Sequence, residues 1–245
     1  MYHSITFGDK NTWDDWHLIP SSRPVFNPPA PKYAFADIPG ADGVEDFSEL
    51  LTGYTLFSNR EGSFEFIVMN GYAPWHEIYS DIMDHLHGRS MKAILEDDPS
   101  FYYEGRFTVN EWRSDPNWSR IVIDYNVAPY KLLKYSSTED WLWDDIDFEQ
   151  NCDISGLRAI EVDGTWTTTF RSLKRTIAPM FTIDSSDGNG MTVAISDDIG
   201  HAAVVDLRDG DKRTDSALRI YGPATTTISV TGKGIFSINF RMGRL

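Results

Sequence analysis

A helical period stands out once in this chain. Most of the rest is short strands broken by turns, which restricts the fold to a mainly β class. The helix is expected between Pro74 and Gly88. Trp75, Ile78, Tyr79, Ile82, Met83 and Leu86 recur three and four residues apart, with Glu77, Asp81 and Asp84 on the polar back. Pro74 suits a first helical position and Gly88 a C-cap. Strands are expected at residues 2–7, 63–69, 89–95, 102–112 and 120–127. Gly8-Asp9-Lys10-Asn11 forms one turn, and Ser114-Asp115-Pro116-Asn117 closes a hairpin.

Residues 129–139 turn polar and suit a domain boundary. Beyond them no helical period remains. Seven strands are expected at 166–170, 180–183, 191–195, 202–207, 217–221, 225–230 and 235–240. The turns are Asp187-Gly188-Asn189-Gly190, Asp209-Gly210-Asp211 and Gly232-Lys233-Gly234. Such spacing points to a small antiparallel sandwich or barrel.

Half of the 12 prolines fall within residues 20–39. Proline removes an amide donor and pushes the preceding residue into extended backbone, so neither a helix nor a central strand fits there. An extended arm is expected instead. Val25, Phe26, Tyr33, Phe35 and Ile38 are interleaved with Pro24, Pro28, Pro29 and Pro31, so the arm is built for contact. Phe26 and Phe35 are its expected anchors on a neighbouring subunit.

Acids outnumber bases 37 to 22, a net charge of −15, and the excess is shared by both halves. Phosphate neutralisation needs clustered Lys and Arg, so neither nucleic acid nor an anionic membrane is an expected partner. No apolar run approaches the roughly 20 residues of a membrane helix, and no secretory leader is evident. The single cysteine, Cys152, suits a reducing compartment and a small buried role.

No catalytic set emerges. His76, His85 and His87 do not share one helical face, and Asp81 with His85 makes a surface pair at i,i+4. Asp184 to Gly190 lacks the alternating acids and the closing Glu of a calcium loop. Glu96-Asp97-Asp98 and the acids at 140, 144, 145 and 147 fit a solvated face better than a hydrolytic carboxylate pair. Phosphate loops, dinucleotide fingerprints, nucleophile elbows and zincin helices are missing. No cofactor or metal is expected. Trp141, Trp143 and Trp166 lie near the domain junction. Packing is their expected role, with stacking on sugars as the alternative.

Several stretches resemble the distal tail protein of long-tailed bacteriophages. They are Ile5-Thr6-Phe7-Gly8-Asp9-Lys10-Asn11-Thr12-Trp13-Asp14-Asp15-Trp16, Ile19-Pro20, Asp37-Ile38-Pro39-Gly40 and Leu51-Thr52-Gly53. Asn59-Arg60-Glu61-Gly62-Ser63-Phe64-Glu65-Phe66, His87-Gly88-Arg89 and the closing Phe240-Arg241-Met242-Gly243-Arg244-Leu245 continue the likeness. The resemblance implies two domains. Residues 1–133 would form a tail-tube-like β-sandwich with one packed helix, carrying the arm at 20–39. Residues 134–245 would form a galectin-like antiparallel β-sandwich. It also implies a structural, non-enzymatic virion protein made in the host cytoplasm. Six copies would form a ring at the distal end of the tail, with the tube protein above and tail-associated hub or receptor-binding proteins below. The ring would leave a channel for DNA, and an acidic chain suits such a conduit. The sugar motifs of galectins, His-x-Asn-Pro-Arg and Trp-Gly-x-Glu, are absent from 136–245. His201, the one histidine there, is followed by Ala202-Ala203-Val204. A carbohydrate-binding module engaging the host wall is the alternative function, and a wall-degrading enzyme a weaker third.

Overall fold

The computed structural model describes residues 3–40, 42–50, 52–68, 74–114, 118–139, 156–170, 175–222 and 224–245. The chain is mainly β, with curled antiparallel sheets and one described helix. It divides into two compact units, residues 1–131 with Leu245, and residues 132–244.

In the first unit, β1 (Ile5–Phe7), β2 (Lys10–Asn11), β3 (Leu18–Pro20), β4 (Phe35–Ala36), β5 (Glu45–Asp46) and β6 (Arg60–Val68) precede the helix α1 (Trp75–Leu86). β7 (Arg89–Leu95), β8 (Phe101–Ser114) and β9 (Ser119–Val127) follow, and β10 (Lys131–Leu133) begins at the last residue of this unit before the second. One antiparallel sheet runs in the order β2-β1-β7-β8-β9-β6-β3, and β4 and β5 form a separate two-stranded ribbon. Phe64, Phe66 and Val68 alternate inward along β6, as a half-buried strand requires. β8 and β9 pair out to Ser114 and Ser119, so the expected hairpin is present, while residues 115–117 lie outside the described part.

The helix starts after Pro74 and buries Ile78, Ile82 and Leu86, one stripe at i, i+4 and i+8. Gly88 follows the C-terminal turn at φ 73°, a value that glycine adopts without strain. Asp81 and His85 do not pair with each other. Asp81 accepts the indole N–H of buried Trp16 at 2.5 Å, and His85 Nε2 lies 2.8 Å from the Phe7 carbonyl. Both side chains instead tie the helix to the first strand and the loop after it.

The second unit contains β11 (Ile160–Phe170), β12 (Met180–Ser185), β13 (Met191–Asp197), β14 (Ala202–Leu207), β15 (Lys212–Thr214), β16 (Thr226–Asn239) and β17 (Gly243–Arg244). Two expectations fail here. Gly232-Lys233-Gly234 is not a turn but the middle of the 14-residue strand β16. One edge of β16 pairs with β11 from Thr226 to Phe236. The other edge pairs with β13 up to Gly232 and with β12 from Gly234 onward. The glycines mark a change of partner. A Cβ on Gly234 (φ 142°) would come within 2.3 Å of the Asp184 carbonyl, so only glycine fits. β14 extends the sheet beside β13, and β15 extends it beside β12. The sheet therefore curls across this line. Ile228, Val230, Phe236 and Ile238 of β16 face one core with Phe181, Ile183, Val193 and Ile195.

The strand expected at 217–221 is reduced to a single bridge between Ile177 and Ile220. Leu218 and Ile220 are buried as a plug, and Asp215 binds the Ala217 amide, so no ladder develops.

Candidate assembly surface

The proline-rich segment is anchored at its root on its own unit. Arg23 Nε donates to Asp97 at 2.8 Å, and His3 lies 2.9 Å from the same carboxylate. These two partners, His3 first, hold the Asp97 carboxyl below the usual carboxylate range. Pro24 is buried, and Phe26, only 3% exposed, packs among Phe64, Tyr103 and Tyr125 at ring distances of 3.9–5.0 Å. The Asn27 amide donates to the Tyr125 hydroxyl at 2.9 Å. Arg60 donates to the carbonyls of Asn27 (2.9 Å) and Pro129 (2.8 Å). A Cβ on Gly62 would meet Asn27 Nδ2 and the Tyr125 hydroxyl at 2.5 Å, so this glycine gives the arm its seat. Arg60 is buried over the Tyr103 ring with no carboxylate beside it among the described residues. Burial pushes its pKa down and those of Tyr103 and Tyr125 up.

After Asn27 the chain leaves the core. The Lys32 amide donates to the Leu56 carbonyl, Ser58 to Ala30 and Phe47 to Ala34, while Phe35 pairs with Asp46 across the β4–β5 ribbon. Residues 30–58 are thus an out-and-back ribbon, reaching past the expected limit at residue 39. Tyr33 and Phe35 stack on one face, 5.6 Å apart, and both are exposed, as are Ile38, Val44, Phe47, Leu50 and Leu56. Leu50 is 72% exposed. A two-stranded ribbon is marginal by itself, and an apolar patch of this kind on a soluble surface marks an interaction site.

The residues expected to form the arm therefore separate into two groups. Pro24 and Phe26 belong to the core and root. Tyr33, Phe35 and Ile38 stand out in solvent, Pro28 is exposed at the point of departure, and Pro29 is half-buried. Sequence reasoning missed Val44, Phe47 and Leu50, which lie among acids, and Leu56 beyond them. The signal was there in Gly40 and Gly43, at φ 90° and 79°, which permit the ribbon to reverse.

The other candidates do not converge on a site. Trp166 is half-buried and packs edge-on against Phe236 at 5.1 Å in the core of the second unit. Trp141, Trp143, Cys152 and the acids at 140, 144, 145 and 147 lie outside the described residues. Glu96 accepts the Ser4 amide at 2.7 Å, and Asp98 pairs with Lys131 at 2.6 Å, so that acidic run is divided among structural contacts. Asp187 accepts from the Ser185 hydroxyl and the Asn189 amide, which close its own loop. Among the described residues, no group of His, Cys, Asp and Glu is placed to hold a metal. No described helix is long and apolar enough to cross a membrane.

Curled antiparallel sheets with one described helix are the fold of a phage tail hub protein. One solved structure similar to this chain is that of the SPP1 Dit (gp 19.1) protein, a paradigm of the hub adsorption apparatus in phages infecting Gram-positive bacteria. The match covers 100% of both chains, with a TM-score of 0.61 at 12% sequence identity. No protein-family model and no curated protein matches this chain.

Proposed function

We propose that this chain is a structural protein of a phage tail tip. Six copies form a ring that joins the tail tube to the adsorption apparatus and leaves a channel for DNA. The observation that carries this is the full-length likeness to a tail hub protein, together with an apolar ribbon that nothing on its own unit covers. The first unit supplies the ring, in the manner of a tube subunit. The second, galectin-like unit faces the adsorption proteins. A closed ring needs two different patches on each subunit, the ribbon being one and its seat on the next copy the other. The net charge of −15 suits a conduit that lets DNA pass without holding it.

The test is absolute mass by light scattering at high protein concentration. A ring of six 27.9 kDa chains has a mass of about 167 kDa. Phe35→Asp with Leu50→Asp should lower that mass while leaving the unfolding midpoint of the single chain unchanged. A variant that still assembles fully overturns the role of the ribbon. A wild-type chain that stays at 27.9 kDa, alone and with the tube protein added, overturns the ring.

A further inference from the structure

In the second unit, a cleft of about 300 Å³ opens beside the β13–β14 hairpin. Its wall carries His201, Arg219 and Tyr221, set among the small residues Gly200, Ala202 and Ala203. The hairpin turn holds His201 in a fixed pose. Asp197 Oδ1 accepts the amides of Ile199 (3.1 Å) and His201 (2.8 Å), and Oδ2 binds His201 Nδ1 at 2.8 Å. With Nδ1 held in this way, Nε2 is the ring nitrogen left for a ligand. Tyr221 lies flat against the imidazole, with centroids 3.9 Å apart and planes 14° apart, and stiffens it further.

Several cations of this unit are held in ion pairs. Arg213 pairs with Asp211 and Asp215, Lys233 with Asp163, and Arg241 with Glu139. Arg219 makes no ion pair among the described residues, and its Nε is buried with no acceptor. A buried donor without a partner is costly, and a guanidinium fork fits a planar or tetrahedral oxyanion. No carboxylate lines the cleft, although the chain has 37 acids. Two acids lie close by and both are engaged: Asp197 is buried and bonded within the hairpin turn, and Asp215 accepts the Ala217 amide and lies 3.9 Å from Arg213.

We propose that this cleft binds a small oxyanion carried on a sugar-sized polyol, such as a phosphate ester or a sugar acid. Arg219 supplies the fork, His201 Nε2 a second polar contact and Tyr221 a flat wall. A volume near 300 Å³ sits at the lower end of the range for small-ligand sites. The site is independent of the ring described above.

The experiment is calorimetric titration of the full-length chain with glycerol 3-phosphate and with glucuronate, using glycerol and glucose as neutral controls. One or both anions should give saturable heat with one site per chain, in the millimolar range, and the controls none. Response to glycerol 3-phosphate alone assigns the site to phosphate esters, and response to glucuronate alone to sugar acids. Arg219→Gln should weaken binding about ten-fold or more. Ala202→Glu alters an exposed cleft residue and places a carboxylate beside Arg219. It should abolish binding with the thermal midpoint unchanged, which keeps the test decisive if Arg219→Gln does not fold. Absence of saturable heat from both anions up to about 50 mM, or unchanged affinity in Ala202→Glu, overturns the proposal.

Discussion

Phe26 shows how much one side chain's role depends on its surroundings. It sits beside exposed Val25 in a proline-rich stretch, and both look equally fit for an interface. The Gly62 gap and the Tyr125 hydroxyl draw the backbone inward at residue 27, and Phe26 goes with it into the core. Phe26→Ala should therefore destabilise the single chain by about 3–5 kcal/mol, read from urea unfolding. A loss below about 1 kcal/mol would return Phe26 to the list of assembly anchors. Asp187 makes a second prediction at this scale. The Ser185 hydroxyl and the Asn189 amide hold its carboxyl down to about 2, from 3.8. A depressed folded-state pKa adds stability that is present above about pH 4 and is lost as pH falls through about 2. Asp187→Asn should flatten the thermal midpoint across that window. An unchanged acid limb would show that the loop bonds carry no net stability.

Among the elements, the helix was legible because an apolar stripe at 3.6-residue spacing has one physical solution in an aqueous protein. The strands of the first sheet were legible for the corresponding reason at period two. The two failures, at 217–221 and 232–234, share a cause. A strand exists only if a partner lies beside it, and no local pattern reports that partner. Glycine pairs read as turns in sequence because they usually are. In β16 they allow one strand to serve two neighbours. Gly234→Ala places a methyl against the Asp184 carbonyl and should cost more than about 1 kcal/mol, measured by chemical denaturation. A neutral result would mean that β12 shifts to make room. The ribbon was half legible. Its outgoing strand carries prolines and aromatics, whereas its return side hides Val44, Phe47 and Leu50 among acids.

For the whole molecule, charge leads to a prediction that needs no coordinates. A chain at net −15 should show no retention of duplex DNA in a gel-shift assay at physiological salt. Tight binding would overturn the proposed place of the chain around a DNA channel. Composition, periodicity and proline placement determined the mainly β class, the helix, the existence of an arm and the net negative charge. Each depends on spacing along the chain or on a sum over it. Tertiary structure alone decided which arm residues are core and which are exposed, where β16 changes partners, and that Arg219, His201 and Tyr221 meet in one cleft. Those outcomes depend on which side chains lie within a few ångströms after folding, and residues up to about a hundred positions apart come together that way, as Asn27 and Tyr125 do.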